Sequence, residues 1–268
     1  MKSILEKYAQ LLVNYCVDIQ PGEKLFVQST TLAEPLIREI YRETLKAGGV
    51  CDVNMSFREQ NRIFYANAEG DQLKHVSPLY QKAIEEYDAY IHIRAPFNLK
   101  EDNGNDKDKS KLRQEHTKPL NDTYFSRTAS RSLKRNLCQY PTSASAQNAG
   151  MSLEEYEQFV FNACKLYDDN PMASWLEIRQ NQQRIVDLLN SKDTIRYVNA
   201  DTDITFKTKG RTWINSDGQT NMPSGEVYTS PEEDSVNGKI TFDYPAIYMG
   251  REVEHVSLWV EDGYITKW

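Results

Sequence analysis

Apolar residues recur at three- and four-residue spacing along most of the first 190 residues, which is the pattern of amphipathic helices. The first such stretch covers residues 1–14. The same periodicity predicts further helices over residues 33–47, 58–65, 78–86, 152–163 and 172–190, and a polar helical stretch is predicted over residues 111–131. Ser152 and Glu155 form the capping-box pattern S-x-x-E at the beginning of one of these helices, and Pro171 marks the beginning of the next.

Short apolar runs lie between these helices and predict β-strands. They cover residues 25–28, 50–55, 89–94 and 136–140. Strands and helices alternate, and consecutive parallel strands joined by a helix pair through a right-handed crossover. The sequence therefore predicts an α/β fold with an open, doubly wound and mainly parallel sheet. The polar stretch 98–111 has almost no apolar residues and predicts an exposed loop.

The pattern changes after residue 190. Apolar and polar residues now alternate in short runs separated by glycine turns, and no long helix is predicted. We therefore expect two domains. An N-terminal α/β domain covers residues 1–190, and a strand-rich α+β domain begins at residue 191 and runs to residue 268.

Composition narrows the possible partners and the location. The 268-residue chain carries a net charge of -7 with 26% charged residues, which indicates a solvated surface rather than a nucleic-acid interface. The strongest basic run, residues 127–135, is short and typical of the solvated face of a helix. No stretch approaches the ~18 apolar residues of a membrane span, and the N-terminus lacks the apolar core of a signal peptide. We expect a cytoplasmic protein that binds neither nucleic acid nor membrane.

Cysteines and histidines form no recognisable metal motif. Cys16, Cys51, Cys138 and Cys164 lie far apart without a C-x-x-C pair, so we expect buried, reduced thiols. The four histidines form no H-x-x-x-H or H-E-x-x-H pair, and His92 is expected to be a packed histidine within a strand. The sequence also lacks G-x-x-x-x-G-K-[ST], G-x-G-x-x-G and G-x-S-x-G, so neither a phosphate loop nor a nucleophile elbow is supported.

The stretch 211–252 combines glycines, prolines and carboxylates with short alternating strands. In N-M-P-S-G-E-V, residues 221–227, Pro223 fixes one backbone torsion and Gly225 permits a conformation closed to other residues. This turn is expected to hold the Glu226 carboxylate at a defined place, and a fixed carboxylate suits a hard or borderline metal ion. The other interpretation is an exposed turn glutamate, because one carboxylate is not a metal site.

Three further acids follow shortly after this carboxylate. If the chain folds them beside Glu226, then Glu232, Glu233 and Asp234 supplement it as ligands. The alternative is a solvated acidic turn in which Asp234 or Ser235 caps the local backbone. The sequence leaves both interpretations open.

The motif around Glu226 also carries a family resemblance. W-I-N-S-D-G-x-x-N-M-P-x-G-E-V, followed by P-x-E-D-S-V-N-G, resembles the signature of the M29 metalloaminopeptidases, the thermophilic aminopeptidase family. The likeness extends to P-T-x-x-x-A-Q-x-A-G-M-S-L-E-E-Y-E at residues 141–157 and to residues 87–96, so it covers essentially the whole chain. By match, Glu226 is a ligand of the family's two-metal site. Family members are longer, so the resemblance implies that residues 191–268 are the first part of an incomplete metal-binding catalytic domain. The remaining ligands of the family lie in a C-terminal segment that this sequence lacks.

The resemblance implies a function and leaves an alternative. It implies a metal-dependent aminopeptidase that uses zinc, cobalt or manganese, removes N-terminal residues from peptides and forms a homodimer. The alternative is a non-catalytic, truncated module that dimerises or binds peptide, since only Glu226 of the ligand set is matched. A shortened chain is expected to expose apolar surface and an unpaired sheet edge. A small-molecule or nucleotide site on the N-terminal sheet is a third, weaker hypothesis.

Overall fold

The computed structural model describes residues 2–248 and 251–268. The chain divides into two compact units. The first comprises the residues up to Leu176 together with Asp217–Ser224, and the second comprises Glu177–Ser216 and Gly225–Trp268. The domain division between residues 190 and 191 stays a prediction.

Helices and strands alternate along the first two thirds of the chain, and only strands follow in the described part. The helices are α1 Ile4–Leu11, α2 Glu34–Lys46, α3 Gln60–Asn67, α4 Asp71–Lys74, α5 Pro78–Glu86, α6 Lys107–Ala129, α7 Ser143–Asn148, α8 Leu153–Ala163 and α9 Pro171–Asn190. The strands are β1 Lys24–Thr30, β2 Val50–Ser56, β3 Ala89–Arg94, β4 Lys134–Gln139, β5 Thr194–Val198, β6 Asp203–Lys207, β7 Ile214–Ser216, β8 Asn221–Met222, β9 Glu226–Tyr228, β10 Asn237–Phe242, β11 Ala246–Tyr248, β12 Arg251–Val253, β13 Val256–Glu261 and β14 Tyr264–Lys267. None of the helices in the described residues has the length and apolar character needed to cross a bilayer.

The first unit is built on a five-stranded parallel sheet with the order β2-β1-β3-β4-β8. The direction in which strands are added reverses between β1 and β3, which is the hallmark of a doubly wound sheet. The predicted open, mainly parallel sheet is thereby confirmed. The interior strand β1 is buried on both faces through Leu25, Phe26 and Val27, as parallel sheets require.

Helices cover both faces of this sheet. On one side, α1 begins at a capping box formed by Ser3 and Glu6 and buries Tyr8 and Leu11. It continues as a π-helical turn over Leu12–Cys16, where the sequence predicted a single helix. Full burial of an apolar side chain such as Leu11 contributes about 1.5–3 kcal/mol to the free energy of folding. On the other side, α5 and α6 cover a cluster that consists of Phe26, Ala83, Ile84, Tyr90, Leu120 and Leu133.

One predicted loop is partly wrong. Residues 98–111 contain a short 3₁₀ turn, Glu101–Gly104, and α6 already begins at Lys107. Its N-cap is Asp106, whose carboxylate accepts hydrogen bonds from the backbone N–H groups of Asp108 and Lys109 at 2.9 and 3.0 Å. The first turns of α6 are polar all round, so hydrophobic periodicity could not locate their beginning.

The second unit is strand-rich, as the sequence predicted. Its five-stranded antiparallel sheet has the order β14-β13-β10-β6-β5, and two ribbons, β7 with β9 and β11 with β12, complete it. Gly238 allows β10 to approach β6 closely. A Cβ at this position would lie 2.2 Å from the Asp203 carbonyl oxygen. Apolar side chains are exposed on the edge strands, including Val198 on β5 and Tyr264 on β14.

Candidate functional site

Glu226 opens the short strand β9. It lies opposite Ser216 in an antiparallel ribbon with β7, and the N–H of Gly225 donates to the Ser216 carbonyl oxygen at 3.1 Å. Gly225 has φ +112°, a conformation that disfavours residues with a Cβ. The Glu226 side chain is exposed, and it has no ion pair among the residues the structure describes.

A buried glutamine on α9 fixes the backbone of this ribbon. Gln182 is 8% exposed. Its Nε2 atom donates to the Glu226 and Ser216 carbonyl oxygens, each at 3.2 Å, and to Asn215 Oδ1 at 2.7 Å. Asn215 is in turn tied to the helix, because its Nδ2 donates to the Arg179 carbonyl oxygen at 2.9 Å. The strand that begins with Glu226 is therefore anchored to α9 while its carboxylate faces solvent.

Residues 217–224, which precede Glu226 in the sequence motif, belong to the first unit. Asn221 and Met222 form β8 and pair with β4, so these two residues are a sheet strand and not part of the predicted turn. Met222 is 1% exposed, and the peptide bond that follows it is cis. Gly218 has φ +96°, and a Cβ there would lie 2.6 Å from Met222 Cε. Glycine is favoured here, because the positive φ strains other residues and an added Cβ would crowd the buried side chains of Met222 and Trp175.

The neighbouring acids form a solvated turn. Arg211 Nη2 lies 2.6 Å from Glu233 Oε2, and Ser235 Oγ accepts from the Lys207 N–H at 3.0 Å and donates to the Glu232 carbonyl oxygen at 2.7 Å. A hydrogen bond from its own backbone N–H and the charge of Arg211 lower the pKa of Glu233. The interpretation as an acidic turn capped by Ser235 is confirmed.

The cysteines and histidines, which are the other possible metal ligands, have surroundings typical of residues that serve the fold. All four cysteines are free and buried, as expected, and burial raises the pKa of Cys51 and of Cys164 to about 12. Thiols with such a pKa stay protonated and are poor ligands. His92 lies half-buried in β3, as predicted, and its Nδ1 atom is 3.3 Å from the Tyr90 hydroxyl. His116 Nδ1 lies 2.9 Å from the Leu112 carbonyl oxygen.

These observations test whether the donors fit a metal centre. Each ion of a hydrolytic two-metal site needs three or more protein ligands. Over residues 2–248 and 251–268, no group of three His, Cys, Asp or Glu side chains is placed to hold a metal ion. The described donor set therefore does not fit the two-metal centre that the resemblance implies. Glu226 is one exposed carboxylate on a fixed backbone.

Comparison with known proteins identifies the family. The sequence profile of the thermophilic metalloprotease family M29 matches residues 1–268. The chain belongs to this family. M29 relatives of known name include aminopeptidase 2 of Geobacillus stearothermophilus, 27% identical over 97% of this chain and 68% of that protein, and aminopeptidase AmpS of Bacillus subtilis, also 27% identical over 97% of this chain and 69% of that protein. Aminopeptidase PepS of Streptococcus thermophilus is 26% identical over 98% of this chain and 69% of that protein.

A solved structure has a similar fold. Wild-type AmpT from Thermus thermophilus superposes with a TM-score of 0.83 at 18% sequence identity, over 98% of this chain and 70% of that chain. At this identity the likeness establishes the fold alone. It agrees with an α/β unit around a parallel sheet, followed by a strand-rich region.

Sequence reasoning did not single out Gln182. A signal was present, because this residue stands four positions after Ile178 and four before Val186, within the apolar stripe of α9. A polar side chain in such a stripe is expected to bond to something when it is buried. Its three acceptors lie between 33 and 44 residues further along the chain, so sequence alone could not identify them.

Proposed function

We propose that this chain is an M29 aminopeptidase, which hydrolyses the first peptide bond of peptides that have a free N-terminus. The family match over residues 1–268 carries the proposal. Three relatives named as aminopeptidases add support, because each aligns with 97–98% of this chain. In the proposed function the cofactor is a divalent ion: zinc, cobalt or manganese.

Glu226 is proposed as a metal ligand. Two observations support this assignment: the ribbon and Gln182 hold its backbone, and its carboxylate is exposed without an ion pair among the described residues. A carboxylate on a fixed backbone, with no ion-pair partner, is accessible to a cation. The further ligands of a working site are not grouped with Glu226 in the described part of the chain.

Metal-dependent hydrolysis of aminoacyl p-nitroanilides tests the proposal. The protein is stripped with a chelator, and turnover is measured after addition of zinc, cobalt or manganese. We expect metal-restored turnover in the wild type and at least about a 100-fold loss in Glu226→Ala, the magnitude typical of removing a group that stabilises a transition state. Glu261→Ala, which removes another exposed carboxylate of the second unit, serves as the matched control and is expected to retain turnover.

A non-catalytic module that binds peptide or dimerises is the second candidate. The absence of a three-donor group in residues 2–248 and 251–268 favours it. Exposed apolar residues of the second unit, such as Tyr264 and Trp268, support self-association. This candidate replaces the first if no metal restores turnover while peptides still bind, and light scattering then reports whether a dimer forms.

A further inference from the structure

A cavity of about 310 Å³ lies on one face of the parallel sheet. Its volume is at the lower end of the range for small-molecule sites. It is lined by aromatic rings and by one cation. The side chains that matter are Tyr80 on α5, Tyr90 and His92 on β3, Tyr124 and Phe125 on α6, and Arg135 on β4.

The sheet register explains why these groups meet. Tyr90 is paired with Arg135, and His92 with Leu137, so their side chains emerge on the same face of neighbouring strands. The rings support one another edge to face: the ring centroids of Tyr90 and Tyr124 are 5.8 Å apart at an interplanar angle of 83°. Tyr124 and Phe125 are 5.4 Å apart at 69°. Such pairs contribute beyond simple burial, so the walls are held in place without a ligand.

The polar groups around the cavity leave one cation without a partner. Arg135 is half-buried, and its side chain makes no hydrogen bond or ion pair within the described ranges of the chain. The Tyr90 hydroxyl donates to Gln28 Oε1 at 2.5 Å, and burial raises its pKa, so it stays protonated. Burial, and then the charge of Arg94, lower the pKa of His92, which is therefore neutral at pH 7. Neither group supplies a negative charge to Arg135.

A half-buried arginine without a counter-ion leaves its guanidinium available to an anion, and the planar fork of this group matches a carboxylate through two parallel hydrogen bonds. The flat, apolar walls next to it suit a ring, which can pack edge to face against Tyr80, Tyr124 or Phe125. One cation between aromatic walls fits a monoanion with a ring better than a polyphosphate, which needs several positive groups.

We propose that this cavity binds a small aromatic carboxylate, with its carboxylate on Arg135 and its ring against Tyr124 and Phe125. Binding at this cavity does not involve Glu226 or a metal ion. If the chain is an aminopeptidase, the aromatic amino acids that hydrolysis releases are members of this ligand class. Only this last identification rests on the proposed function.

Isothermal titration calorimetry of the chelator-treated protein tests the proposal. The ligands are L-phenylalanine, 3-phenylpropionate, phenethylamine, which lacks the carboxylate, and L-leucine, which lacks the ring; inorganic phosphate tests for a site that takes any anion. We expect 3-phenylpropionate and phenylalanine to bind at least about 10-fold more tightly than the other three. Phenethylamine cannot form the hydrogen-bonded ion pair with Arg135, and leucine and phosphate cannot make the ring contacts.

Two substitutions with matched controls locate the site. Arg135→Ala is expected to weaken 3-phenylpropionate about 10- to 100-fold, while Arg131→Ala, which removes an arginine that bonds to Gln219, leaves it unchanged. Phe125→Ala is expected to weaken it several-fold, and Phe57→Ala, another exposed phenylalanine, is not. Circular dichroism confirms that each variant is folded, and Arg135→Lys, which keeps the charge, is expected to bind better than Arg135→Ala.

The proposal would be overturned by equal affinity for phenethylamine, by equal affinity for leucine, or by unchanged binding in a folded Arg135→Ala variant. Preferential binding of phosphate would point to a general anion site instead and would equally refute it. The outcome is separable from the proposed function, because calorimetry needs no turnover. Hydrolysis without aromatic carboxylate binding would refute the cavity alone, and binding without hydrolysis would refute the aminopeptidase proposal alone.

Discussion

The hydrogen bonds of Gln182 make the most direct prediction about the candidate site. Replacing Gln182 with leucine keeps the volume of the side chain and removes its donor. The Glu226 and Ser216 carbonyl oxygens then lose a donor that lies 3.2 Å away, and Asn215 Oδ1 loses one at 2.7 Å. Three acceptors are affected by one change.

The expected cost follows from these contacts. Each net hydrogen bond contributes about 1 kcal/mol, and leaving a buried acceptor unsatisfied costs about 1–3 kcal/mol. One Nε2 atom has only two hydrogens for three acceptors, so the three contacts do not add in full. We therefore expect Gln182→Leu to destabilise the ribbon of β7 and β9 by about 2–3 kcal/mol.

Amide hydrogen exchange measured by mass spectrometry reports the local destabilisation of the ribbon. A loss of 2–3 kcal/mol corresponds to exchange about 30- to 150-fold faster for the protected amides of the ribbon, if they exchange by local opening. Gln180→Ala is the matched control, because Gln180 is an exposed glutamine on the same helix, and it is expected to leave exchange unchanged. Exchange in the parallel sheet of the first unit is expected to change in neither variant.

Equal ribbon exchange in Gln182→Leu and in the wild type would refute the idea that Gln182 anchors Glu226. A uniform increase over the whole second unit would also contradict it, since that result would describe a general loss of stability. If the ribbon alone is released, turnover of p-nitroanilides is expected to fall as well, because the proposed ligand loses its fixed position.

Two further predictions concern the first unit. Gly218→Ala is expected to destabilise it by about 2–4 kcal/mol in urea unfolding, because the residue has φ +96° and the new methyl group would lie 2.6 Å from Met222 Cε; stability equal to wild type would refute the steric argument. The four buried cysteines are expected to react with a thiol reagent at pH 8 only after unfolding, since burial raises the pKa of Cys51 to about 12; rapid labelling of the native protein would contradict this.

Sequence patterns predicted the parts of the fold that depend on local periodicity. The strand 89–94 agrees with β3 at both ends, and the capping box of Ser152 and Glu155 begins α8 as expected. Both features follow from interactions within a few residues: a short apolar run along one strand, and reciprocal hydrogen bonds across one helical turn. No knowledge of distant partners was needed.

Long-range pairing was beyond the reach of sequence patterns. Asn221 and Met222 were interpreted as a turn because a proline and a glycine follow them, yet they form a fifth parallel strand beside β4. A two-residue strand has no periodicity of its own, so only its partner defines it. The role of Gln182 could not be predicted for the same reason, since its acceptors are distant in sequence.

The motif around Glu226 divides into residues that serve the fold and one that does not. Gly218 accommodates Met222, and Asn215 links α9 to the ribbon. The Glu226 carboxylate is exposed without an ion pair in the described part of the chain, and a surface charge of this kind adds little stability. Glu226→Ala is therefore expected to change the free energy of unfolding by less than about 0.5 kcal/mol while turnover is lost. Gln182→Leu is expected to lower both, and this contrast separates the proposed ligand from its support.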